Sequence, residues 1–349
     1  MTGPGSVTRR TGLRTALAAA VAVPLLATVR ASGARRTPEC TAPPPPLEVM
    51  SYNLRFASRT RPHSWPERRP VMRELLRRAA PHVIGTQEGQ GPQLADVQSD
   101  LGPYYDWIGT GRDGGEDESA AVFYDRRRLV PVGHGDFWLS DTPGRPGSNT
   151  WGGAHPRMVT WVRFHDRAAG GRPFCVLNTH LDNGSAYARA RAAALIAERV
   201  PGLAGSAPLV VTGDFNAVAH ESPVHATLLG AGLVDTWDTA RYRGPAYGTW
   251  HGWGPPTPGG DRIDWILATP DVTVLRIWVD LSADGGQWPS DHFPVCAALR
   301  LPAAPERAEA PATGRGRGGL GQLVGDQPLR VLISSVSCGT TSNRSPTTP

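Results

Sequence analysis

Pro208-Leu209-Val210-Val211-Thr212-Gly213-Asp214-Phe215-Asn216, residues 208–216, is an apolar run that ends abruptly in a carboxylate and a carboxamide. Its β-branched residues read as a strand and the glycine marks where it stops. Asp214 and Asn216 then leave the strand's C-terminal edge on one side, because residues two apart in an extended chain share a face. The plan recurs along the chain. Met50-Ser51-Tyr52-Asn53-Leu54-Arg55 ends at Asn53, Val83-Ile84-Gly85-Thr86-Gln87-Glu88 at Glu88, and Val176-Leu177-Asn178-Thr179-His180-Leu181 at His180. Ser290-Asp291-His292 pairs a carboxylate with an imidazole just before the apolar Phe293-Pro294-Val295-Cys296-Ala297. Asp264 is a lone charge inside Arg262-Ile263-Asp264-Trp265-Ile266-Leu267. A buried carboxylate is costly unless paired, so Asp264 needs a partner, and His292 is the natural one. Alone, each segment reads as a turn capped by Asp or Asn; six of them together do not.

Around these segments, apolar runs at Glu48–Leu54, Val83–Gln87, Ala120–Tyr124, Val159–Phe164, Phe174–Asn178, Leu209–Thr212, Ile263–Leu267, Val272–Val279 and Val295–Leu299 read as strands. Pro66–Ala80 reads as a helix: Val71, Met72, Leu75, Leu76 and Ala79 recur at helical spacing, with Arg69, Arg73 and Arg77 on the outer side. Ala186–Val200 and Pro223–Leu229 are further helices. Strands with interspersed helices imply an α/β domain with two mixed sheets face to face and helices outside.

The termini differ in composition from this core. Residues 1–31 carry Arg9-Arg10 followed by the apolar Ala16–Ala27 run and Val29-Arg30-Ala31, the pattern of a twin-arginine export signal. The run is shorter than the roughly 20 residues that span a bilayer, which disfavours an uncleaved anchor. Residues 32–46 hold the polyproline linker Pro43-Pro44-Pro45-Pro46, and 301–349 form a Pro-, Gly- and Arg-rich tail too poor in apolar residues to fold by itself, with one strand-like run at Leu329–Val336. The expected product is an exported, monomeric protein with no stable membrane insertion. The net charge of +5 comes from these ends: they carry six and five arginines against one and three acids, leaving 25 basic and 27 acidic residues in 47–300. All basic residues are arginine. The core thus lacks the basic excess of a tight duplex-DNA binder, although arginine grips single phosphates well. Of the cysteines, Cys175 and Cys296 sit in apolar runs and read as buried hydrophobes, while a Cys40–Cys338 bridge is possible but unsupported.

In their order, the six polar segments resemble the endonuclease/exonuclease/phosphatase superfamily of metal-dependent phosphoesterases, which includes deoxyribonuclease I, apurinic endonucleases, bacterial sphingomyelinases, inositol polyphosphate phosphatases and deadenylase nucleases. The resemblance runs from about Leu47 to Arg300. Trp65–Arg68, Gly109–Glu118, Phe137–Ser140 and Asn178–Asp182 look more closely like a secreted bacterial branch. It implies a four-layer α/β sandwich with the active site at one end. It further implies Mg²⁺ or Mn²⁺ on Glu88, with Asn53 and Asp291 in support. Asp214 would accept the proton of the attacking water, and Asn216 would orient phosphate or metal. His292, charged and held by Asp264, would face the phosphate; His180 would stabilise the pentacovalent transition state or protonate the leaving oxygen. Arg55, Arg112 and His251 are the candidate substrate contacts, with Glu118 beside Arg112 and Asp182 as further candidates. Where the related branch carries a histidine after Asp182, this chain has Asn183. The tryptophans belong to the core or the cleft rim, where one or two would stack on a base or sugar.

The expected reaction is hydrolysis of a phosphoester by in-line attack of water. Within enzymes the alternatives are an extracellular nuclease acting on DNA or RNA and a lipid-headgroup or inositol-phosphate esterase. A catalytically dead binding module is disfavoured, because nothing physical would keep a costly buried charge cluster in it.

Overall fold

A computed structural model describes residues 43–303. The export signal, Cys40, Cys338, most of the linker and the tail beyond 303, with its strand-like run, lie outside the described residues. In chain order the elements are β1 (Leu47–Asn53), α1 (Trp65–Ala79), β2 (Val83–Gln87), α2 (Gly91–Leu101), β3 (Tyr105–Ile108), β4 (Val122–Asp125), β5 (Leu129–Trp138), β6 (Met158–Asp166), β7 (Arg172–His180), α3 (Ala186–Ala204), β8 (Leu209–Asp214), α4 (Pro223–Gly230), β9 (Val234–Asp235), α5 (Thr236–Thr239), β10 (Tyr242–Arg243), β11 (Asp264–Ala268), β12 (Thr273–Val279) and β13 (Val295–Arg300).

The strands form a seven-stranded sheet, β10-β12-β13-β1-β2-β4-β3, and a six-stranded sheet, β5-β6-β7-β8-β11-β9. Both are mixed: β1–β2 and β7–β8 run parallel while β1–β13 and β8–β11 run antiparallel. Val49, Val83, Val176, Val210 and Ala297 join the two inner faces in one apolar core. Outside the first sheet, Met50, Tyr52 and Ile84 pack on Met72 and Leu75 of α1 and Leu94 and Val97 of α2. Outside the second, Leu177 and Val211 pack on Ala192 and Ile196 of α3 and Val224 and Leu228 of α4. This is the four-layer sandwich expected from the strand and helix pattern.

What positions the site is a gradient along the inner face of the central strands. Alternation puts every second residue inside, and the register aligns them in layers. Val49 faces Val83, Ser51 faces Gly85 and Asn53 faces Gln87 across β1–β2. Val176 pairs with Val210, Asn178 with Thr212 and His180 with Asp214 across β7–β8, and Asp214 pairs with Asp264 on β11. Each strand therefore passes from hydrocarbon to polar side chains at one common end, carboxamides on β1 and β2 and imidazole or carboxylate on β7, β8 and β11. The middle layer is closed by hydrogen bonds: across the sheets Gln87 Nε2 donates to Asn178 Oδ1 at 2.8 Å and Asn178 Nδ2 to Thr86 O at 2.8 Å, and within the second sheet Thr212 Oγ1 donates to Asn178 Oδ1 at 3.0 Å. Gly85 makes room for it, since a Cβ there would lie 2.0 Å from Thr212 Oγ1 and 2.6 Å from Asn178 Oδ1. Gly85→Ala is expected to cost about 1–3 kcal/mol through overpacking, read as a lower urea midpoint at unchanged slope.

The strand ends came out within a few residues of the sequence reading, and Cys175 and Cys296 are buried and free as expected. Unforeseen were α2, β3, β5 and the short β9, α5 and β10. In α2 the apolar stripe is short, Leu94, Val97 and Leu101, behind a Gly-Pro start. β5 contains Pro131, Gly133 and Gly135, residues depleted in strands, and it tolerates them because it is an edge strand with a bulge at Pro131/Gly133. No described helix is long and apolar enough to cross a membrane.

Candidate active site

At the polar end of both sheets lies a cleft of about 560 Å³. It is lined by Arg55, Glu88, Arg112, His180, Asp214, Asn216, Asp291 and His292, among others. Asn53 and Asp264, both fully buried, stand directly behind them. Asp182, also singled out in the sequence, lies outside the lining, and so does His251. It stacks on Phe293 with ring centroids 4.1 Å apart, and its ring nitrogens face Gly254 O and Ser290 O. It braces the segment that carries Asp291.

Asp214 is the hub. Its Oδ2 accepts from Asn53 Nδ2 at 2.9 Å and lies 3.4 Å from His180 Nε2 and 3.8 Å from His292 Nε2; its Oδ1 accepts from Asn216 N at 3.0 Å. Burial, reinforced by the Asp264 carboxylate, pushes the Asp214 carboxyl up to about 7. His292 Nδ1 meets Asp264 Oδ2 at 2.9 Å, the partnership required of the lone buried charge. Burial works against the charged imidazole, but Asp264 and Asp214 outweigh it and raise His292 to about 10. Asp264→Asn is expected to bring the His292 pKa down, because removing the carboxylate leaves burial less opposed; a histidine NMR titration reads the shift.

Strand ends aim the remaining groups. Arg55, Glu88 and Asn216 have positive φ of 54°, 61° and 48°. Glu88 follows the inward-facing Gln87 and by alternation would turn away; the left-handed backbone swings it into the cleft. Asn216 reaches the side of Asp214 in the same way, so the two share the cleft through a turn rather than through strand alternation. Its Nδ2 donates to Leu181 O at 3.0 Å and stands 3.1 Å from His180 Nε2. Asn53 Nδ2 bridges Asp214 and Glu88 Oε1, 3.0 Å away, and its Oδ1 accepts from Arg55 N at 2.9 Å. Arg55 spans two carboxylates at 3.7 Å each, Glu88 and Asp291.

The sequence reading missed Arg157, which lines the cleft and donates from Nη1 to His180 Nδ1 at 2.9 Å. A guanidinium has only donors, so Nδ1 is the acceptor and the neutral ring carries its proton on Nε2. Burial, then Arg157 and His292, hold His180 well below the usual histidine range, which keeps it neutral. A signal was available: Arg157 opens the apolar run Met158–Phe164 as Asp264 sits inside its own. Arg68 was passed over for a similar reason. It lies on the buried stripe of α1 with Val71, Met72 and Leu75. Its guanidinium donates to Leu54 O, Pro289 O, Arg55 O, Phe56 O and His63 O at 2.8–3.0 Å, tying the loop after β1 to the segment before Asp291. Arg112 is clamped by Asp117 Oδ2 at 2.9 Å and Glu118 Oε2 at 2.7 Å. Burial raises Glu118 to about 7 despite that partner. Asp182 accepts from the backbone of Ala154, Gly184 and Ser185 at 2.7–3.0 Å and so joins two loops.

Hard oxygen donors dominate the place where a cation would sit. The open ones are Glu88 and Asp291, whose only charged partner among the described residues is the loosely placed Arg55, and this donor set suits Mg²⁺ or Mn²⁺. Asp214, Asp264 and His292 also bring ligand atoms within 4.8 Å of one another, but both nitrogens of His292 already face the two carboxylates. A second trio, His220, His225 and Asp235, lies away from the cleft, with the Arg262 guanidinium 3.0 Å from Asp235 where a cation would go.

Residues 50–292 match the Endonuclease/Exonuclease/phosphatase family. An endonuclease/exonuclease/phosphatase family protein from Bacteroides thetaiotaomicron is 35% identical, with a TM-score of 0.70 over 74% of this chain and 99% of that one. A mannosyl-6-phosphatase from the same organism is 34% identical, with a TM-score of 0.67 over 72% of this chain and 99% of its own. The human Nocturnin catalytic domain with bound sulfate, 19% identical with a TM-score of 0.56 over 73% and 94%, shares the fold. No curated protein matches the chain. By the extent of that match and by these relatives, the chain belongs to the endonuclease/exonuclease/phosphatase family of phosphoester hydrolases.

Proposed function

We propose that the chain is an exported, divalent-cation-dependent phosphoesterase that acts on a small phosphorylated molecule, a sugar phosphate foremost, by direct in-line attack of water. The observation that carries the mechanism is the Asp214 hub: a buried carboxyl with a pKa near 7, fixed by Asn53 and the Asn216 backbone, between two imidazoles of unlike charge. The 34% identity to a mannosyl-6-phosphatase, across 99% of that protein, supports the substrate class. The near-neutral core speaks against duplex nucleic acid.

In this reading Glu88 and Asp291 hold the cation, which when bound neutralises phosphoryl oxygens. Asn53 braces Glu88 against Asp214 instead of ligating. Asp214 takes a proton from the water as its oxygen bonds to phosphorus; the bond to the leaving oxygen breaks, and that oxygen leaves with the electron pair and takes a proton from solvent. The His292 imidazolium and the Nε2–H of neutral His180 face the phosphoryl oxygens. Of the two parts expected of His180, stabilising the transition state fits a neutral donor better than protonating a leaving group. Asn216 spends one amide proton on Leu181 O and keeps the other for substrate.

Hydrolysis of hexose 6-phosphates, p-nitrophenyl phosphate, bis-p-nitrophenyl phosphate, plasmid DNA, RNA and sphingomyelin with Mg²⁺, Mn²⁺ or EDTA tests this. The expected result is cation-dependent release of phosphate from sugar phosphates, abolished by EDTA and in Asp214→Asn. Turnover of nucleic acid alone, or turnover indifferent to EDTA, would overturn the reading.

A further inference from the structure

We propose that Arg157 binds a phosphoryl dianion and makes the cleft selective for monoesters over diesters; this rests on the phosphoesterase reading above and deepens it. Three arginines line the cleft, Arg55, Arg112 and Arg157. Arg55 lies between Glu88 and Asp291, and Arg112 is clamped by Asp117 and Glu118. Arg157 has no carboxylate within 4.0 Å among the described residues, although it is the most buried of the three at 8% exposure. Among the described residues its one side-chain hydrogen bond goes to a neutral imidazole, and its Nε, fully buried, has no partner. A buried guanidinium with no carboxylate in contact is held against the cost of its desolvation, so a fold keeps one where an anion will meet it.

The strand order says which anion. In both sheets one flank of the cleft belongs to β4 and β6, and the other to β13 and β11. Glu118 and Arg157, just ahead of β4 and β6, stand on the first flank. The bridge between Trp250 and His292, with Ile263, stands on the second. His292 therefore supplies its positive charge from one side of the phosphoryl group, and Arg157 from the other, past His180. A monoester carries a charge of about −1.5 to −2 near neutral pH, and its three non-bridging oxygens can meet both cations. A diester has a single negative charge, and its second ester group would bury Arg157 against an uncharged oxygen.

The test compares kcat/KM for p-nitrophenyl phosphate and bis-p-nitrophenyl phosphate in the wild type, Arg157→Gln and Arg157→Lys, with Mg²⁺ in excess. Calorimetric titration with inorganic phosphate and dimethyl phosphate and a thermal melt of each variant accompany it. We expect the wild type to prefer the monoester, Arg157→Gln to lose about 100-fold on the monoester and on phosphate binding but only a few-fold on the diester, and Arg157→Lys to recover part of the loss. A diester preference in the wild type, or an equal loss on both esters, would overturn the proposal, the latter by reducing Arg157 to a support for His180. Arg157-dependent phosphate binding in a protein that turns over neither ester would uphold the anion site and bring down the hydrolase reading instead. Should Arg157→Gln fail to fold, the same ratios in Arg157→Lys decide.

Discussion

Asp214→Asn is expected to lower kcat by about 10²- to 10⁴-fold, the span that a positioned general base contributes. The carboxamide fits the same space and keeps an oxygen for Asn53 Nδ2 but turns its NH2 toward the Asn216 N–H, so the protein should lose about 1–3 kcal/mol of stability and stay folded while proton acceptance is lost. The pH profile supplies the independent readout. Asp214 must be ionised to accept a proton, and its pKa is lifted to about 7, so wild-type kcat/KM should climb with pH until the group is deprotonated and then level off. A bound cation pulls that limb to lower pH by favouring the carboxylate. Asp214→Asn should abolish the limb along with the rate. A variant with near-wild-type kcat, or with the acid limb intact, would assign the base elsewhere.

Arg68→Met should destabilise the protein by about 3–5 kcal/mol, since several buried carbonyls lose their donor at roughly 1–3 kcal/mol each where water does not replace it. For a domain of this size that amounts to roughly a 10 °C fall in melting temperature. Arg68 is fully buried, and burial brings its pKa down to about 10, which still leaves it charged at neutral pH. Methionine fills the stem's volume but leaves the carbonyls of Leu54, Arg55, Phe56, His63 and Pro289 without their donor. Those carbonyls belong to the loops that present Arg55 and Asp291, so the loss should also reach the cleft, with reduced cation affinity in a Mn²⁺ titration. A melting temperature within a degree or two of wild type would show that solvent or neighbouring groups replace the guanidinium easily.

The polar ends of strands were legible because a strand that stops in a charge breaks a strong local pattern. Asn53, Glu88, His180 and Asp214 announce themselves in this way, His292 by standing just ahead of an apolar run, and Asp264 by interrupting one. Arg157 and Arg68 did not, although each breaks a pattern too. One opens a strand where a charge passes for a loop residue, and the other sits in a helix so rich in arginine that the buried one hides among the solvated ones. His251 misled in the opposite direction: its neighbour Trp250 lines the cleft, but one position further along, the ring turns back onto Phe293. Sequence proximity to a cleft residue carries no information about facing, which the irregular backbone between Thr249 and Gly254 decides.

The hydrogen-bonded middle layer has a consequence for how the two halves of the site stay together. Asn53 and Glu88 come from one sheet, while His180, Asp214 and Asp264 come from the other. Apolar faces alone would let two sheets settle at several nearly equivalent offsets, since one valine packs much like another. Asn178, reaching from the second sheet to Thr86 O and Gln87 of the first, removes that freedom. Any slip would strand buried amides without partners. The layer thus works as a gauge block: it sets the separation of the opposed groups before any loop is placed. The rim of the cleft is then free to vary its chemistry without disturbing the distances on which that chemistry depends.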